Sequence, residues 1–115
     1  MNPEYPWAVI DETIERVVET GKTSWLDEEG NPLEWPIRIN YRGEVSPVPH
    51  FHEDLKTLQD LVLPLLEGEY GWVICYAHHE HGWRVNILTQ EGPSTTGFHE
   101  SLAAAIALAL YTALV

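Results

Sequence analysis

The sequence predicts a small α+β domain, a helix/sheet/helix sandwich whose strands are mainly antiparallel. Three observations support this prediction. Apolar residues recur at helical spacing in three segments of the chain, and they alternate with polar residues in others. Two of the alternating segments are separated by only a few residues, as they are in a hairpin. The predicted order is α-β-α-β-β-α, and helices with one apolar stripe that alternate with a few strands are typical of this class.

The first half of the chain contains one predicted helix and one predicted strand. Residues 6 to 20 carry apolar side chains at helical spacing, and Gly21 follows where a helix would end. Residues 22 to 35 are interpreted as a loop or a loose hairpin, because the central DEEGNP run is rich in turn-forming residues. Residues 36 to 41 alternate with a period of two, which predicts a half-buried strand. Residues 43 to 49 contain two prolines and are expected to form an extended linker.

The second half begins with a helix and a hairpin. Residues 53 to 67 carry an apolar stripe, but the ring of Pro64 removes one backbone hydrogen bond. We therefore expect this helix to kink or end near Leu63. Residues 70 to 77 and 83 to 89 are predicted to be the two strands of one hairpin.

The closing segment bears on assembly. Residues 90 to 97 are a turn-rich connection, and residues 100 to 114 form an alanine-rich helix of high propensity. This helix has almost no polar side, so it must be buried on two sides or pack closely on a partner. A homodimer through the C-terminal helix is one hypothesis that follows.

Length and composition limit the class of protein. The 115 residues suit a single domain, and 44% apolar residues suffice for a core despite a net charge of -12. The single cysteine, Cys75, excludes a disulfide framework, fits a reducing compartment such as the cytoplasm, and is expected to be a buried structural thiol. We expect no secretory signal and no membrane-spanning segment. So acidic a surface would repel phosphates, which argues against direct binding of nucleic acid or membranes.

The negative charge is concentrated in residues 1–36, an acidic N-terminal helix and loop. This part holds nine acidic residues against Arg16 and Lys22, a net charge of -7. On the predicted helix, four carboxylates lie opposite the apolar stripe and are expected to face solvent: Asp11, Glu12, Glu15 and Glu19. Such a face either keeps a small protein soluble or imitates a run of phosphates and occupies the basic groove of a nucleic-acid-binding protein.

Two tryptophans flank the charged turn that follows the first helix. Trp25 and Trp35 are candidates for contact with a protein partner, because aromatic side chains on polar loops often supply much of the binding energy. The alternative is that both fold back over the sheet. The candidate partner-binding residues are therefore Asp11, Glu12, Glu15, Glu19, Trp25 and Trp35.

Histidines form two groups, of which the first lies in the predicted hairpin. His78, His79 and His81, together with Glu80, are the most metal-like set, because imidazole and carboxylate are common zinc ligands. Their spacing matches no standard metal motif. We therefore favour a polar hairpin tip and assign no metal site and no cofactor.

The second histidine group precedes a predicted helix. His50 and His52, with Glu53 and Asp54, could act as an acid/base pair, because a histidine near a carboxylate can titrate near neutral pH. Their position favours an exposed opening turn of the helix instead. The sequence holds no glycine-rich phosphate loop, nucleophile elbow or HExxH motif, so we expect no enzymatic activity.

The chain from about residue 50 to 114 resembles a known family. The HFHEDL run at 50–55, the tryptophan-bearing hairpin and the SLAAAIALA run at 101–109 are similar to the phage ABA sandwich family of small phage and prophage proteins. The resemblance implies a phage or prophage origin and a three-layer helix, sheet, helix arrangement, and it implies no established activity. Residues 82 to 103 are also faintly similar to HicB-type antitoxins.

Individual positions carry the first resemblance. Phe51 and Asp54 match the element that opens the family's helix, Trp83 matches the strand, and residues 105 to 109 match the closing helix. His52 stands where the family has a helix-capping serine, so the cap must come from elsewhere, such as Asp54.

These observations lead to one main functional hypothesis and two alternatives. The main hypothesis is a non-enzymatic phage or prophage accessory protein that acts by binding another protein. The first alternative is an acidic inhibitor that mimics nucleic acid and blocks a host defence nuclease or a DNA-binding protein. The second is a metal-dependent enzyme that uses the cluster from His78 to His81.

Overall fold

The computed structural model describes residues 6–18, 22–90, 92 and 94–115. Its α+β architecture, with two three-stranded antiparallel sheets, confirms the predicted class. The helices are α1 (Trp7–Val18), α2 (Leu55–Thr57), α3 (Leu63–Glu69) and α4 (Leu102–Leu114). The strands are β1 (Lys22–Leu26), β2 (Pro32–Ile39), β3 (Val45–Pro47), β4 (Val73–His79), β5 (Gly82–Leu88) and β6 (Thr95–His99). The predicted order fits, with three further short strands. In the described part of the chain, every helix is too short or too polar to cross a membrane.

The first sheet has the strand order β1-β2-β3 and begins with a hairpin. In the turn between β1 and β2, the Asp27 carboxylate accepts hydrogen bonds from the backbone N–H groups of Glu29 (2.8 Å) and Asn31 (2.9 Å). Gly30 takes a positive φ of 84°, which glycine adopts without strain. The predicted loose hairpin is therefore confirmed. Residues 36 to 39 of the strand predicted at 36 to 41 form the second half of β2, and residues 40 and 41 lie beyond its end.

The predicted linker contains β3. This strand pairs Val45 with Ile39 and Pro47 with Ile37 at the edge of the sheet. Three residues are too few to show an alternating pattern, and an edge strand tolerates the missing N–H of a proline. The pattern of the sequence alone thus could not reveal β3.

The second helical region begins with a 3-10 turn, Phe51–Glu53. Asp54 follows, and its carboxylate accepts hydrogen bonds from the backbone N–H (3.1 Å) and the hydroxyl (2.7 Å) of Thr57. Asp54 is therefore the helix cap. This agrees with the expectation that, with His52 in place of the family's capping serine, another residue such as Asp54 caps the helix.

The helix does not end near Leu63. A π turn over Leu58–Val62 joins α2 to α3, and helical structure continues to Glu69. Pro64 lacks the N–H that an α-helix would direct to the preceding turn, and the wider π turn before it makes room for the proline ring. The predicted position of the helix distortion, next to Leu63, is confirmed. The distortion is a π turn and not an end of the helix.

The second sheet has the order β4-β5-β6. β4 and β5 form the predicted hairpin, and their pairing extends to His79 and Gly82, so that Glu80 and His81 alone form its loop. The connection predicted over residues 90 to 97 is wrong for its last three residues, which belong to β6. This strand pairs with β5 from Trp83 opposite His99 to Ile87 opposite Thr95. A strand of five residues with a central glycine carries too weak a pattern to be recognised in the sequence.

Helix α4 lies at the centre of the fold. It packs on β5 and β6 on one side and on α1 and the 3-10 turn on another. Gly97 permits the close approach of β6, because a Cβ atom at this position would lie 2.6 Å from the backbone nitrogen of Ala109. The buried residues of the helix are Ala103, Ala104, Ala105, Ile106, Ala107, Ala109 and Leu110. The chain itself covers the helix that suggested a homodimer, and the oligomeric state stays a prediction.

Candidate functional site

The acidic side of α1 is buried. The exposed fractions of Asp11, Glu12 and Glu15 are 0%, 5% and 1%. The expectation that these three carboxylates form a solvent-exposed face is therefore wrong. Glu19, the fourth residue of the predicted face, lies outside the described residues.

The first sheet supplies polar partners for this side of α1. Glu12 Oε2 accepts a hydrogen bond from the Thr23 hydroxyl (2.7 Å), and Glu15 Oε1 lies 3.2 Å from Arg38 Nη1. Thr23 and Arg38 are directly opposite each other in the β1–β2 pairing, so both can reach the helix. Arg16 also pairs with Glu12 (Nη2 to Oε1, 3.2 Å). The helix contacts α4 as well as this sheet, which explains why neither its apolar nor its acidic side faces solvent.

The third carboxylate, Asp11, contacts His52. Asp11 Oδ2 lies 2.5 Å from His52 Nδ1, and Asp11 Oδ1 accepts a hydrogen bond of 3.2 Å from the backbone N–H of His52. Burial removes water from the Asp11 carboxylate and raises its pKa from 3.8 to about 6, although its hydrogen bonds to His52 act in the opposite direction. The expected exposed opening turn is therefore wrong for His52, which is buried.

Two tryptophans hold the two histidines of this turn. The ring of Trp7 stacks on His52 with a centroid distance of 4.4 Å, and Trp35 stacks on His50 at 3.9 Å. The indole N–H of Trp35 donates a hydrogen bond of 2.7 Å to the carbonyl of Val48. Trp35 was expected either to contact a partner or to fold back over the protein, and the structure supports the second interpretation.

Trp25 lies in the irregular part of the β1–β2 pairing and is partly exposed. Its predicted contact with a partner stays a prediction.

The outward side of the turn brings three donor groups together. His52 Nε2 lies 3.4 Å from Glu53 Oε1, and one ligand atom each from His50, His52 and Glu53 lies within 4.8 Å of the others. Among the described residues, this is the one group of three histidine, cysteine or carboxylate side chains that lie close enough together to hold a metal ion. The histidines from 78 to 81 stay exposed around the hairpin tip and do not form such a group.

A second surface feature is the outer face of the β4-β5-β6 sheet, the face turned away from α4. Val73, Leu88 and Phe98 remain 52%, 48% and 45% exposed on it. The strand pairing places Val73 opposite Leu88 and Arg84 opposite Phe98, so these residues point to the same side. Cys75 also lies on this face and is exposed, so the expectation of a buried thiol is wrong. Helix α4 can cover only one face of the sheet, and no other helix covers this side of the described strands.

The strands that the structure describes contribute no carboxylate to the outer face. The described strands contribute the following residues to it: Val73, Cys75, Ala77, His79, Gly82, Arg84, Asn86, Leu88, Thr96 and Phe98. In a chain with 18 acidic residues and a net charge of -12, this face has neutral side chains and one arginine. The described part of this face thus combines exposed apolar side chains with uncharged polar ones and one arginine, and it lacks the negative charge that dominates the chain.

No protein-family model matches the chain, and no curated protein and no solved structure matches it.

Proposed function

We propose that this chain is a non-enzymatic protein-binding domain and that its contact surface is the outer face of the β4-β5-β6 sheet. The observation that carries the proposal is the exposure of Val73, Leu88 and Phe98 on a face to which the described strands contribute no carboxylate. Exposed apolar residues that share one face are typical of interaction surfaces, whereas single exposed ones are ordinary.

The energetics of the face favour a protein partner. Each of the three large apolar side chains is about half exposed, so covering it would contribute on the order of 1 kcal/mol. Arg84 lies between Ala77 and Phe98 in the strand pairing and offers a partner a charge to complement. A carboxylate or a backbone carbonyl of the partner would meet the guanidinium there. The partner is therefore a protein with an apolar patch that contains a hydrogen-bond acceptor.

The nucleic-acid mimic has less support than this proposal. Its acidic face consisted of Asp11, Glu12, Glu15 and Glu19, and the first three are buried against the protein's own side chains. Buried carboxylates cannot be presented to a basic groove. The phage or prophage origin, the cytoplasmic location and the homodimer stay predictions.

The proposal can be tested with two matched sets of substitutions. The first, Val73→Thr with Leu88→Thr and Phe98→Thr, removes the apolar residues of the outer face and keeps residues that favour strands. The control, Tyr41→Thr with Val45→Thr, removes exposed apolar residues from the first sheet and its adjoining turn, where Tyr41 is 84% exposed. Circular dichroism and thermal unfolding would establish that both variants are folded.

Each variant would then be immobilised and compared with the wild type for capture of proteins from cells that express the chain. We expect a protein retained by the wild type and by the control but lost, by tenfold or more, with the outer-face variant. Equal retention by all three chains, or equal loss with both variants, would contradict the proposal.

A further inference from the structure

We propose that His50, His52 and Glu53 form a binding site for a divalent first-row transition ion, with zinc as the reference ion, and that Asp11 is a positioning residue for it. The site lies in the turn before α2 and is separate from the outer face of the β4-β5-β6 sheet. The inference therefore does not depend on the proposed protein-binding function.

The spacing of the donor atoms suits one ion. Ligand atoms at about 2.1 Å from a tetrahedral zinc lie roughly 3.4 Å apart. His52 Nε2 and Glu53 Oε1 already lie 3.4 Å apart, and the ligand atoms of all three residues lie within 4.8 Å of one another. The Glu53 side chain is exposed, so a small rotation can bring its carboxylate closer to the two imidazole rings.

Asp11 determines which nitrogen of His52 is offered to the ion. The Asp11 carboxylate engages Nδ1 at 2.5 Å, so the proton of a neutral imidazole is held on that side and the lone pair of Nε2 points towards Glu53. A histidine that binds a metal through one nitrogen and contacts a carboxylate through the other is the usual arrangement in metal sites. In this chain the carboxylate comes from α1, 41 positions away.

The two imidazole rings are also held by stacking. Trp7 lies almost parallel to His52, with an interplanar angle of 9°, and Trp35 almost parallel to His50, at 7°. Ligands that are oriented before an ion arrives lose less conformational entropy when they bind it. Because His50 and Glu53 are exposed, water or a ligand from another molecule can complete the coordination of the ion.

The choice of ion follows from the donor types. Two imidazole nitrogens and one carboxylate oxygen suit zinc, nickel, copper and cobalt better than magnesium or calcium, which prefer oxygen ligands alone. Zinc is a suitable first probe because it has no redox chemistry, and cobalt reports the geometry of the same site by its visible absorption.

The test is calorimetric titration of the full chain, purified with a chelator and then dialysed, with zinc chloride. We expect one equivalent to bind. His50→Ala and Glu53→Gln change exposed residues and should each weaken binding by tenfold or more. The matched control is His78→Ala with His79→Ala and His81→Ala, which removes the other histidine group and should leave the first equivalent unchanged.

Two outcomes would overturn the proposal. One is the absence of a stoichiometric binding event. The other is binding that survives His50→Ala and Glu53→Gln, or that is lost in the hairpin control. Because both informative substitutions are at exposed positions, a failure to fold does not obscure the result.

The role of Asp11 has a separate readout. Asp11→Asn keeps an acceptor of similar size without the charge, and loss of such a supporting carboxylate weakens metal binding by about 10- to 100-fold. In the wild type, imidazole nitrogen NMR shifts should show the proton on His52 Nδ1, and this preference should weaken in Asp11→Asn. Asp11→Glu, which keeps the charge, should bind zinc more tightly than Asp11→Asn. If Asp11→Asn leaves both the zinc affinity and the nitrogen shifts unchanged, Asp11 does not position the ligand.

Discussion

Asp11 and His52 form a buried contact that joins α1 to the 3-10 turn before α2, across 41 positions of the chain. Both the side chain and the backbone N–H of His52 contact the same carboxylate. One aspartate thus orients the imidazole and keeps the turn against the helix. The contact links the packing of the N-terminal helix to the geometry of the candidate metal site.

The first prediction concerns the stability that depends on this contact. Asp11→Ala leaves His52 and its backbone N–H without their acceptor in a buried position, so we expect a loss of about 3 kcal/mol in the free energy of unfolding. Urea unfolding followed by tryptophan fluorescence measures this loss. Glu28→Ala, at an exposed position of the β1–β2 turn, should change stability by no more than about 0.5 kcal/mol. Similar losses in both variants would contradict the assignment.

The second prediction is the pH dependence that Asp11 introduces. Its pKa is raised from 3.8 to about 6 in the folded chain, mainly by burial, in surroundings that include His52 and His50. Between these values the folded chain holds a proton that the unfolded chain has released, so the contribution of Asp11 to the free energy of unfolding falls as the pH rises from about 4 to about 6. Asp11→Asn removes this component.

The measurement is the free energy of unfolding of the wild type and Asp11→Asn at several pH values in the presence of a chelator. Over the interval from about pH 4 to about pH 6, the wild type should lose stability relative to the variant. Parallel curves for the two chains would show that Asp11 does not titrate in this range.

The third prediction concerns the close packing of β6 on α4. At Gly97 an added Cβ would collide with the backbone of α4 at Ala109, so Gly97→Ala should destabilise the chain by about 1 to 3 kcal/mol. Gly68 is the matched control, because it lies in α3, where an added Cβ would meet no atom within 4 Å apart from the nearby backbone of its own helix, and alanine favours helices. Gly68→Ala should therefore stabilise the chain by about 0.5 to 1 kcal/mol. A destabilisation of similar size at both glycines would contradict the packing described for Gly97.

The fourth prediction concerns the reactivity of the single cysteine. Cys75 is exposed on the outer face of the second sheet, so a disulfide reagent such as DTNB should titrate one thiol in the folded chain without denaturant. The reaction should proceed within roughly tenfold of the rate for the unfolded chain, since access controls the attack of the thiolate. A thiol that reacts only after denaturation would mean that this face is covered.

The sequence pattern was sufficient for the parts of the fold that depend on local regularity. The helical spacing of α1 and α4 and the alternation in β4 and β5 predict these elements, and DEEGNP predicts the first hairpin. β3 and β6 were missed because they are short, and each owes its existence to pairing with a neighbouring strand rather than to its own pattern.

The candidate sites were predicted less well, for a physical reason. Charged residues on a helix are normally placed outside, and this rule failed for Asp11, Glu12 and Glu15 because their partners lie far away in the sequence. The sequence shows Arg38 only as a polar residue of a predicted strand, Thr23 only as part of a predicted loop or loose hairpin, and His52 only as part of a histidine pair. The HxHE spacing at residues 50–53 did mark the turn, but only the fold shows that Asp11 supports it.

The measurement that tests the central proposal most directly is protection of Cys75 from alkylation by the protein that the wild-type chain captures. Cys75 lies on the outer face of the sheet, opposite Asn86, and it is the chain's one cysteine, so a single mass shift reports access to this surface. We predict that a saturating amount of the partner slows alkylation of Cys75 by tenfold or more and does not do so for the variant with threonine at residues 73, 88 and 98. An alkylation rate that is the same with and without bound partner would contradict the proposal that this face is the contact surface.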